Sequence, residues 1–294
     1  WTSSNSFVAT ANAAIYCGAI VEFVDIDVGT YNMSIEVLRE KLVQAKKENK
    51  LPKLVVPVHF SGQSCEMKDI WELSKEYGFK VIEDASHALG GEYKNKKVGC
   101  CEYSHITVFS FHPVKMITTG EGGAITTNDK DLDEKIKLLR SHGIIRNKEK
   151  FKNNNDGDWY YEQQVLGFNY RLSDIQAALG ISQLKRLDSF VLRRREIAKR
   201  YFDELNNSVL PYQHLDTNSS WHLFVIKTKD RKEVFERLKK QGIMTQVHYI
   251  PVIKQPIYNY KKLENSDNFY QHCLSLPIYV DLLNEEQTKV INNL

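Results

Sequence analysis

Two residues whose side chains can do chemistry together each stand near the end of an apolar, strand-like segment. Asp84 follows Val81-Ile82-Glu83 and leads into His87 in the string VIEDASHALGG. Lys115 lies in the string VFSFHPVKMITTGEGG, after a strand-like run that ends at Ser110. Asp84 and Lys115 are 115 − 84 = 31 residues apart, which leaves room for one element that returns the chain to the same sheet edge. Because ligands of open α/β sheets bind beyond the carboxyl ends of strands, we expect these two residues to share a site.

A lysine and a carboxylate at one site suit a pyridoxal-phosphate enzyme. The lysine amine bonds to the cofactor aldehyde, and the carboxylate keeps the pyridine nitrogen protonated so that the ring can accept electrons. Ser110 and neighbouring backbone N–H groups could bind the phosphate. Spacing alone also leaves two ordinary roles open: Lys115 as a solvated loop lysine, and Asp84 as the N-cap of a following helix.

The surrounding segments predict the elements that must position these residues. Apolar, β-branched runs alternate with helix-period segments over the first half of the chain, which indicates an α/β fold around a largely parallel sheet. The predicted strands cover residues 20–24, 54–58, 80–83, 106–109 and 124–127, and the predicted helices cover 35–47, 67–77 and 132–141.

The second half of the chain predicts a smaller α+β domain. One long helix, from about residue 172 to 205, is expected to join a large cofactor-binding domain, residues 1–180, to a small domain, residues 181–294. This helix is predicted from two runs of apolar residues three or four positions apart, Leu172, Ile175 and Leu179, then Leu184, Leu187 and Val191. Strands at 223–228 and 244–248, a helix at 232–241 and a terminal helix from Asn284 follow. The polar segment 147–158 predicts a surface loop.

Composition and charge exclude several classes of protein. The 294 residues carry 40 Lys+Arg and 37 Asp+Glu, a formal net charge of +3, so nucleic-acid binding through bulk charge is not expected. No run approaches the ~18 apolar residues of a membrane span. The 5 cysteines have no CxxC spacing, which argues against a disulfide framework or zinc site and for a reducing cytosol. We therefore expect a cytoplasmic protein with no metal, no nucleic acid and no membrane among its partners.

Six blocks of the sequence together resemble the DegT/StrS-type sugar aminotransferases. They are SFVATANAAIYCGA from Ser6, EDASHALG from Glu83, SFHPVKMITTGEGG from Ser110, LRSHGI from Leu139, GFNYRLSDIQAALGISQLKRLD from Gly167 and QVHYIPV from Gln246. The blocks occur in the family's order and span nearly the whole chain, a far more specific signal than one short motif. The resemblance implies fold type I of the pyridoxal-phosphate-dependent transferases, the aspartate aminotransferase fold. That fold has a largely parallel, seven-stranded-type sheet and a smaller α+β carboxy-terminal domain.

The resemblance implies cofactor roles for five residues. Lys115 matches the lysine that bonds covalently to pyridoxal 5′-phosphate and acts as general acid–base, and Asp84 matches the partner of the pyridinium nitrogen. Phe7 matches the aromatic residue that stacks on the cofactor ring. His87 lies where the family contacts the ring substituents, and Ser110 matches a phosphate ligand.

Further matches imply how subunits and substrate are arranged. Asn169 matches a phosphate ligand donated by the other subunit, so the resemblance implies a homodimer with shared active sites. His248, Tyr249, Ile250 and Pro251 match a segment that lines the nucleotide-sugar pocket.

The His-Pro-Val-Lys form of the lysine block is most similar to the branch of the family that acts in pseudaminic acid biosynthesis, a route used in flagellin glycosylation. This likeness implies transfer of an amino group from glutamate to C4 of a UDP-linked 4-keto-6-deoxy-N-acetylhexosamine, with the cofactor alternating between pyridoxal and pyridoxamine 5′-phosphate. Lys115 argues against the family's dehydratase branch, in which histidine replaces the lysine.

Two alternatives stay open beside this interpretation. One is another nucleotide-sugar aminotransferase, of bacillosamine or perosamine type. The other is an inactive, truncated cofactor-binding copy, because the chain begins at Trp1 and family members are expected to carry an additional amino-terminal segment with a phosphate-binding turn.

Overall fold

The secondary structure alternates between strands and helices along most of the chain. The computed structural model describes residues 1–153, 156–205, 210–258 and 260–294. The strands are β1 Thr2–Ser3, β2 Phe23–Val24, β3 Leu54–Val55, β4 Lys80–Asp84, β5 Glu92–Tyr93, β6 Lys96–Lys97, β7 Ile106–Ser110, β8 Gly123–Thr126, β9 Ile144–Ile145, β10 Glu162–Gln163, β11 Thr217–Asn218, β12 Phe224–Lys227 and β13 Cys273–Leu276. The helices are α1 Ala9–Tyr16, α2 Ile35–Lys47, α3 Met67–Tyr77, α4 Lys130–Leu139, α5 Asp174–Leu184, α6 Leu187–Glu204, α7 Arg231–Lys240, α8 Glu264–His272 and α9 Asn284–Asn292.

The central layer is a largely parallel sheet, which confirms the prediction. Strands β3, β4, β7 and β8 are hydrogen-bonded in that order, and only the β7–β8 pair is antiparallel. The parallel pair β1–β2 continues the layer, because Thr2 also forms a parallel bridge to Val56 beside β3. Among the described residues the layer therefore holds six strands, in the order β2-β1-β3-β4-β7-β8.

Helices α2 and α3 cover the sheet and have the predicted limits because both carry sequence signals at an end. Ser34 caps α2 by accepting a hydrogen bond from the Val37 N–H at 3.2 Å. Gly78 ends α3 in the left-handed conformation, with φ = 80°. The buried faces of the two helices form one apolar core with strand residues that include Val55 and Val81. Burial of this core is the main force that fixes the helices on the sheet.

The predicted single helix from 172 to 205 is wrong, because the chain forms two helices. The Arg186 N–H bonds to the Gln183 carbonyl, three residues back, which tightens the last turn of α5 and ends it. α6 then begins at Leu187 and buries one face, which includes Phe190. By contrast, α5 buries none of its side chains within this chain. The regular spacing of apolar residues in α5 therefore does not arise from packing within this chain.

The carboxy-terminal part has its own apolar core. Strands β12 and β13 pair in antiparallel fashion, and α6, α7 and α9 pack on them around Tyr201 and Phe224. The predicted strand at 244–248 is reduced to one bridge between Gln246 and Ser275. The boundary near residue 180 stays a prediction.

Two other segments bear on the sequence predictions. The predicted loop 147–158 contains a short 3₁₀ helix, Lys148–Lys150, and its positions 154–155 lie outside the described residues. None of the helices in the described ranges combines the length and apolarity needed to cross a bilayer.

A close contact ties the carboxy-terminal part to the central sheet near residue 62. The Ser220 N–H donates to the Gly62 carbonyl at 3.1 Å, and the Leu223 N–H donates to the Ser61 carbonyl at 3.3 Å. A Cβ atom on Gly62 would lie 2.6 Å from Ser220 Oγ and 2.9 Å from the Trp221 nitrogen. The absence of a side chain at residue 62 therefore permits this contact.

We expect Gly62→Ala to destabilise the protein more than Gly78→Ala. Both glycines have positive φ, 100° and 80°, but a Cβ on Gly78 would meet no atom within 4 Å. Backbone strain alone should cost about 1–2 kcal/mol at Gly78, and the clash should add about 1–3 kcal/mol at Gly62. Urea unfolding of the two variants measures the difference, and equal costs would contradict the close contact.

Candidate active site

Asp84 ends β4 with both carboxylate oxygens engaged. Oδ2 accepts a hydrogen bond from Thr10 Oγ1 at 2.5 Å, and Oδ1 accepts one from the Ser86 N–H at 3.1 Å. Thr10 in turn lies 3.1 Å from Ser6 Oγ, which links the start of α1 to the carboxylate. No helix begins after Asp84, since the next described residues form turns, so the carboxylate caps a turn and the helix N-cap role is wrong.

Lys115 lies on the loop that follows β7, at the same sheet edge as Asp84. The backbone N–H of Lys115 donates to the His112 carbonyl at 2.9 Å. The backbone N–H of Thr119 donates to the Phe111 carbonyl at 3.0 Å, so the two ends of the loop are hydrogen-bonded to each other. The side chain is half-buried rather than solvated. Burial lowers the pKa of the Lys115 amine, although the charge of Asp84 acts in the opposite direction. A lowered pKa raises the fraction of neutral, nucleophilic amine at neutral pH.

His87 and Tyr249 form a hydrogen-bonded pair beside these two residues. His87 Nδ1 accepts from the Ser61 N–H at 3.3 Å, and His87 Nε2 lies 3.0 Å from the Tyr249 hydroxyl. Burial, followed by the fields of His222 and Lys115, holds the pKa of His87 well below its usual range. His87 is therefore a neutral imidazole that has its proton on Nε2 and donates it to Tyr249.

The segment from His248 to Pro251 is brought to the same place. His248 Nδ1 lies 2.8 Å from Ser275 Oγ, and burial followed by the charge of Lys115 lowers the pKa of His248 to about 4. Ile250 is exposed and Pro251 is buried. The structure thus brings His248 and Tyr249 of this predicted segment to the group around Lys115.

Phe7 lies at the rim of this group, and its ring centroid is 6.2 Å from that of Tyr249. The Phe7 side chain is 60% exposed, unlike its buried neighbour Ser6. Phe7 is therefore not part of the apolar core. An aromatic face left open beside polar groups suits a flat ligand ring.

Ser110 and Asn169 differ in their relation to the site. Ser110 ends β7, and its Oγ accepts from the His112 N–H at 3.4 Å. Asn169 is exposed and bridges Ser141 through its backbone. In the described part of this chain, no hydrogen bond joins the Asn169 side chain to the residues around Lys115, so the single subunit does not bring Asn169 into the group.

Two residues of the group escaped sequence reasoning. Thr10 stands one helical turn after Ser6 in the first sequence block. In that block the resemblance to the family assigns a role to Phe7 and none to Thr10. His222 is buried, and its ring centroid lies 4.4 Å from that of His87. Neither residue has a spacing signal, because the tertiary fold alone brings each one to the sheet edge.

The donor set fits pyridoxal phosphate and offers no metal site. Among the described residues, no three His, Cys, Asp or Glu side chains are grouped to hold a metal ion. A carboxylate with fixed orientation at Asp84, an amine of lowered pKa at Lys115 and an open aromatic face at Phe7 match the ring nitrogen, aldehyde and face of the cofactor. The hydroxyl of Ser110 at the strand end is a suitable phosphate donor.

Comparison with known proteins gives one family. The model of the DegT/DnrJ/EryC1/StrS aminotransferase family matches residues 1–294. A UDP-4-amino-4,6-dideoxy-N-acetyl-beta-L-altrosamine transaminase of Campylobacter jejuni is 41% identical over 297 aligned positions, which cover 96% of this chain and 74% of that protein. The spore coat polysaccharide biosynthesis protein SpsC of Bacillus subtilis is 39% identical over 306 aligned positions, which cover 99% of this chain and 76% of that protein.

A solved structure agrees with these relatives. Helicobacter pylori PseC, described as an aminotransferase involved in the biosynthesis of pseudoaminic acid, superposes with a TM-score of 0.88 at 36% identity and covers 99% of this chain and 77% of its own. This likeness confirms the predicted fold of the pyridoxal-phosphate-dependent transferases. The chain therefore belongs to the DegT/DnrJ/EryC1/StrS aminotransferase family, and it is a sugar aminotransferase whose cofactor is pyridoxal or pyridoxamine 5′-phosphate.

Proposed function

We propose that this enzyme moves an amino group from glutamate to C4 of a UDP-linked 4-keto-6-deoxy-N-acetylhexosamine, a step of pseudaminic acid biosynthesis. The observation that carries the proposal is the half-buried amine of Lys115, which has a lowered pKa and feels the charge of Asp84 on the neighbouring strand. The His-Pro-Val-Lys block and the names of the Campylobacter and Helicobacter relatives support the sugar.

In this proposal each side chain has a physical task. When bound, the cofactor supplies an electron sink for charge that develops at Cα of the amino donor. Lys115 would hold the cofactor, and its amine would take the Cα proton of the donor and later deliver a proton to the sugar carbon. Asp84 would be the partner of the pyridinium nitrogen, and Phe7 would pack on the ring. Residues 248–251 face the nucleotide sugar.

A second sugar specificity is favoured by one observation. The Bacillus relative, which is named for spore coat polysaccharide biosynthesis, has nearly the same identity to this chain as the Campylobacter one. The alternative is therefore another nucleotide-sugar aminotransferase. The side chains at Lys115 and Asp84 argue against an inactive copy.

Product identification by mass spectrometry tests the substrate. With glutamate and a panel of UDP- and GDP-linked 4-keto-6-deoxy sugars, we expect amination of the UDP-linked N-acetylhexosamine and at least about tenfold less with the GDP sugars, as contacts worth about 1.4 kcal/mol would give. Lys115→Ala should abolish turnover, while the exposed Lys130→Ala should retain it. Amination of a GDP sugar in preference would overturn the proposed substrate, and activity of Lys115→Ala would overturn the role of the lysine.

Asp84→Asn should lower kcat by about 10²–10⁴-fold while the fold is kept. Asparagine retains an oxygen that can accept from Thr10, but it leaves the pyridinium without its counter-charge, and the loss of one partner of a buried pair costs about 3–5 kcal/mol. Asp129→Asn, a change at the exposed N-cap of α4, is the control and should leave kcat unchanged. An Asp84→Asn enzyme within about threefold of wild type, under 1 kcal/mol, would mean that the carboxylate does not face the cofactor.

We also propose a homodimer with shared sites, because an apolar surface surrounds Asn169. Leu166, Tyr170 and Ile175 are 86%, 72% and 85% exposed in the single chain. A cluster of large apolar side chains left open to water indicates a covering partner, and a two-fold pair is the commonest one for soluble enzymes. Asn169 would then lie at the partner's phosphate site.

Subunit mixing tests this arrangement. Lys115→Ala mixed with Asn169→Ala should recover roughly a quarter of wild-type activity, since random exchange makes half of the dimers mixed and each mixed dimer holds one intact site. Lys115→Ala mixed with Asp84→Asn should recover nothing, because both residues belong to the same chain's contribution. With exchange confirmed and Asn169→Ala alone impaired, no recovery in the first mixture would show that the site is built within one chain.

We place the enzyme in the cytoplasm. All five cysteines are free in the structure, and two of them, Cys17 and Cys100, are exposed. Exposed thiols suit a reducing compartment.

A further inference from the structure

The segment from Ser220 to Leu223 is attached to the loop and turn that hold His87. Ser220 Oγ donates to the His87 carbonyl at 2.9 Å. Ser61, whose N–H reaches His87 Nδ1, also donates from its hydroxyl to the Leu223 carbonyl at 2.5 Å. Residues from the carboxy-terminal part thus hold His87 both directly and through Ser61.

A buried cation fixes the same segment from behind. Arg194 on α6 donates from Nη1 to the carbonyls of Trp221, His222 and Ile278 at 3.1, 3.1 and 2.9 Å. Burial lowers the pKa of Arg194 to about 10, so the guanidinium stays charged at neutral pH. A buried charge is tolerated only when it is hydrogen-bonded, and here two of the three bonds go to the turn that carries His222.

The His222 ring packs against the ring of His87. The two imidazoles are both buried, their centroids are 4.4 Å apart and their planes meet at 44°. His222 Nδ1 has no hydrogen-bond partner among the described residues. The His222 ring is therefore held by its backbone and by packing. Its contribution is to cover one face of the His87 ring.

The orientation of His87 decides what Tyr249 can do. With Nδ1 occupied by the Ser61 N–H, the Nε2–H of His87 donates to the Tyr249 hydroxyl at 3.0 Å. The tyrosine oxygen already accepts a bond, so its own proton is free to be donated to a ligand. A rotation of His87, or entry of water at the face that His222 covers, would break this hydrogen-bond order.

We propose that His222 is a positioning residue of the aminotransferase site, which packs on the ring of His87 and keeps it in the orientation that donates to Tyr249. The inference rests on the placement of His87 at the cofactor in the proposed function. It adds that the carboxy-terminal part of the chain, through a turn anchored by Arg194, fixes the orientation of His87 at the cofactor site.

Two readouts on the full chain test the proposal. The ¹⁵N shifts of His87, assigned with His87→Gln, report its tautomer without any cofactor, and absorbance titration gives the dissociation constant of pyridoxal phosphate. His222→Ala should mix the His87 tautomers and raise that constant about tenfold. His222→Phe, which keeps a flat ring, should hold the tautomer and stay within about threefold of wild type. His272→Ala, on an exposed face of α8, is the control and should change neither readout.

Two results would overturn the proposal. In the first, His222→Ala leaves both the His87 shifts and the dissociation constant unchanged. In the second, His222→Phe loses as much as His222→Ala, which would assign the function to a nitrogen of His222 and not to its ring. If His222→Ala does not fold, His222→Leu replaces it and should give the same two losses. A wild-type protein that binds no pyridoxal phosphate would contradict the proposed function alone, because the His87 shifts still test the stacking.

Discussion

The parallel register of β4 and β7 is the constraint on which the rest of the site depends. Asp84 pairs with Val108, so β4 ends beside β7 while β7 continues for two residues to Ser110. Parallel neighbours bring their carboxyl ends to one edge, where no further strand residues fill the space. The loop after β7 can then carry Lys115 back over the end of β4. A shift of one residue would turn Asp84 to the opposite face of the sheet.

Successive side chains of β4 point to opposite faces of the sheet, which explains why the adjacent acids Glu83 and Asp84 lie in different environments. Asp84 faces the site, and Glu83 faces the interior, where it accepts from Ser104 and Thr107 and lies 2.7 Å from His59 Nε2. His59 Nδ1 accepts from the Cys65 N–H at 3.1 Å, so the imidazole proton lies on Nε2 and is donated to Glu83. The Glu83 carboxylate thus accepts three side-chain hydrogen bonds, the condition under which a buried charge is tolerated. It fixes the strand just below the residue that serves the site.

The sequence predicted those elements whose signals are local. Ser34 and Gly78 mark helix ends by their own chemistry, so α2 and α3 have the predicted limits. The strand ends at Asp84 and Ser110 followed from apolar runs. The sequence blocks pointed to Phe7, His87 and residues 248–251, whose roles toward cofactor and substrate stay predictions. Local signals could not predict tertiary contacts. The apolar residues of α5 have the spacing of a buried helix yet are not buried in this chain, because the same period is found in core helices and in helices with an exposed apolar face. Thr10 and His222 reach the site from elements far from it in the chain.

The position of His222 shows why a pattern of motifs underestimates this site. A motif marks residues that touch a ligand. The orientation of those residues is set by neighbours that pack against them and hydrogen-bond to their backbone, and such neighbours need not belong to a motif. At His87, two ring nitrogens, one carbonyl and one ring face are each engaged by a different residue, and two of those residues come from the turn that Arg194 holds. An imidazole with three ring contacts and an anchored backbone has little freedom to rotate, so the tyrosine to which it donates is oriented before any ligand arrives. Such preorganisation lowers the reorganisation needed during the reaction, and in this chain it requires the two halves to be in contact.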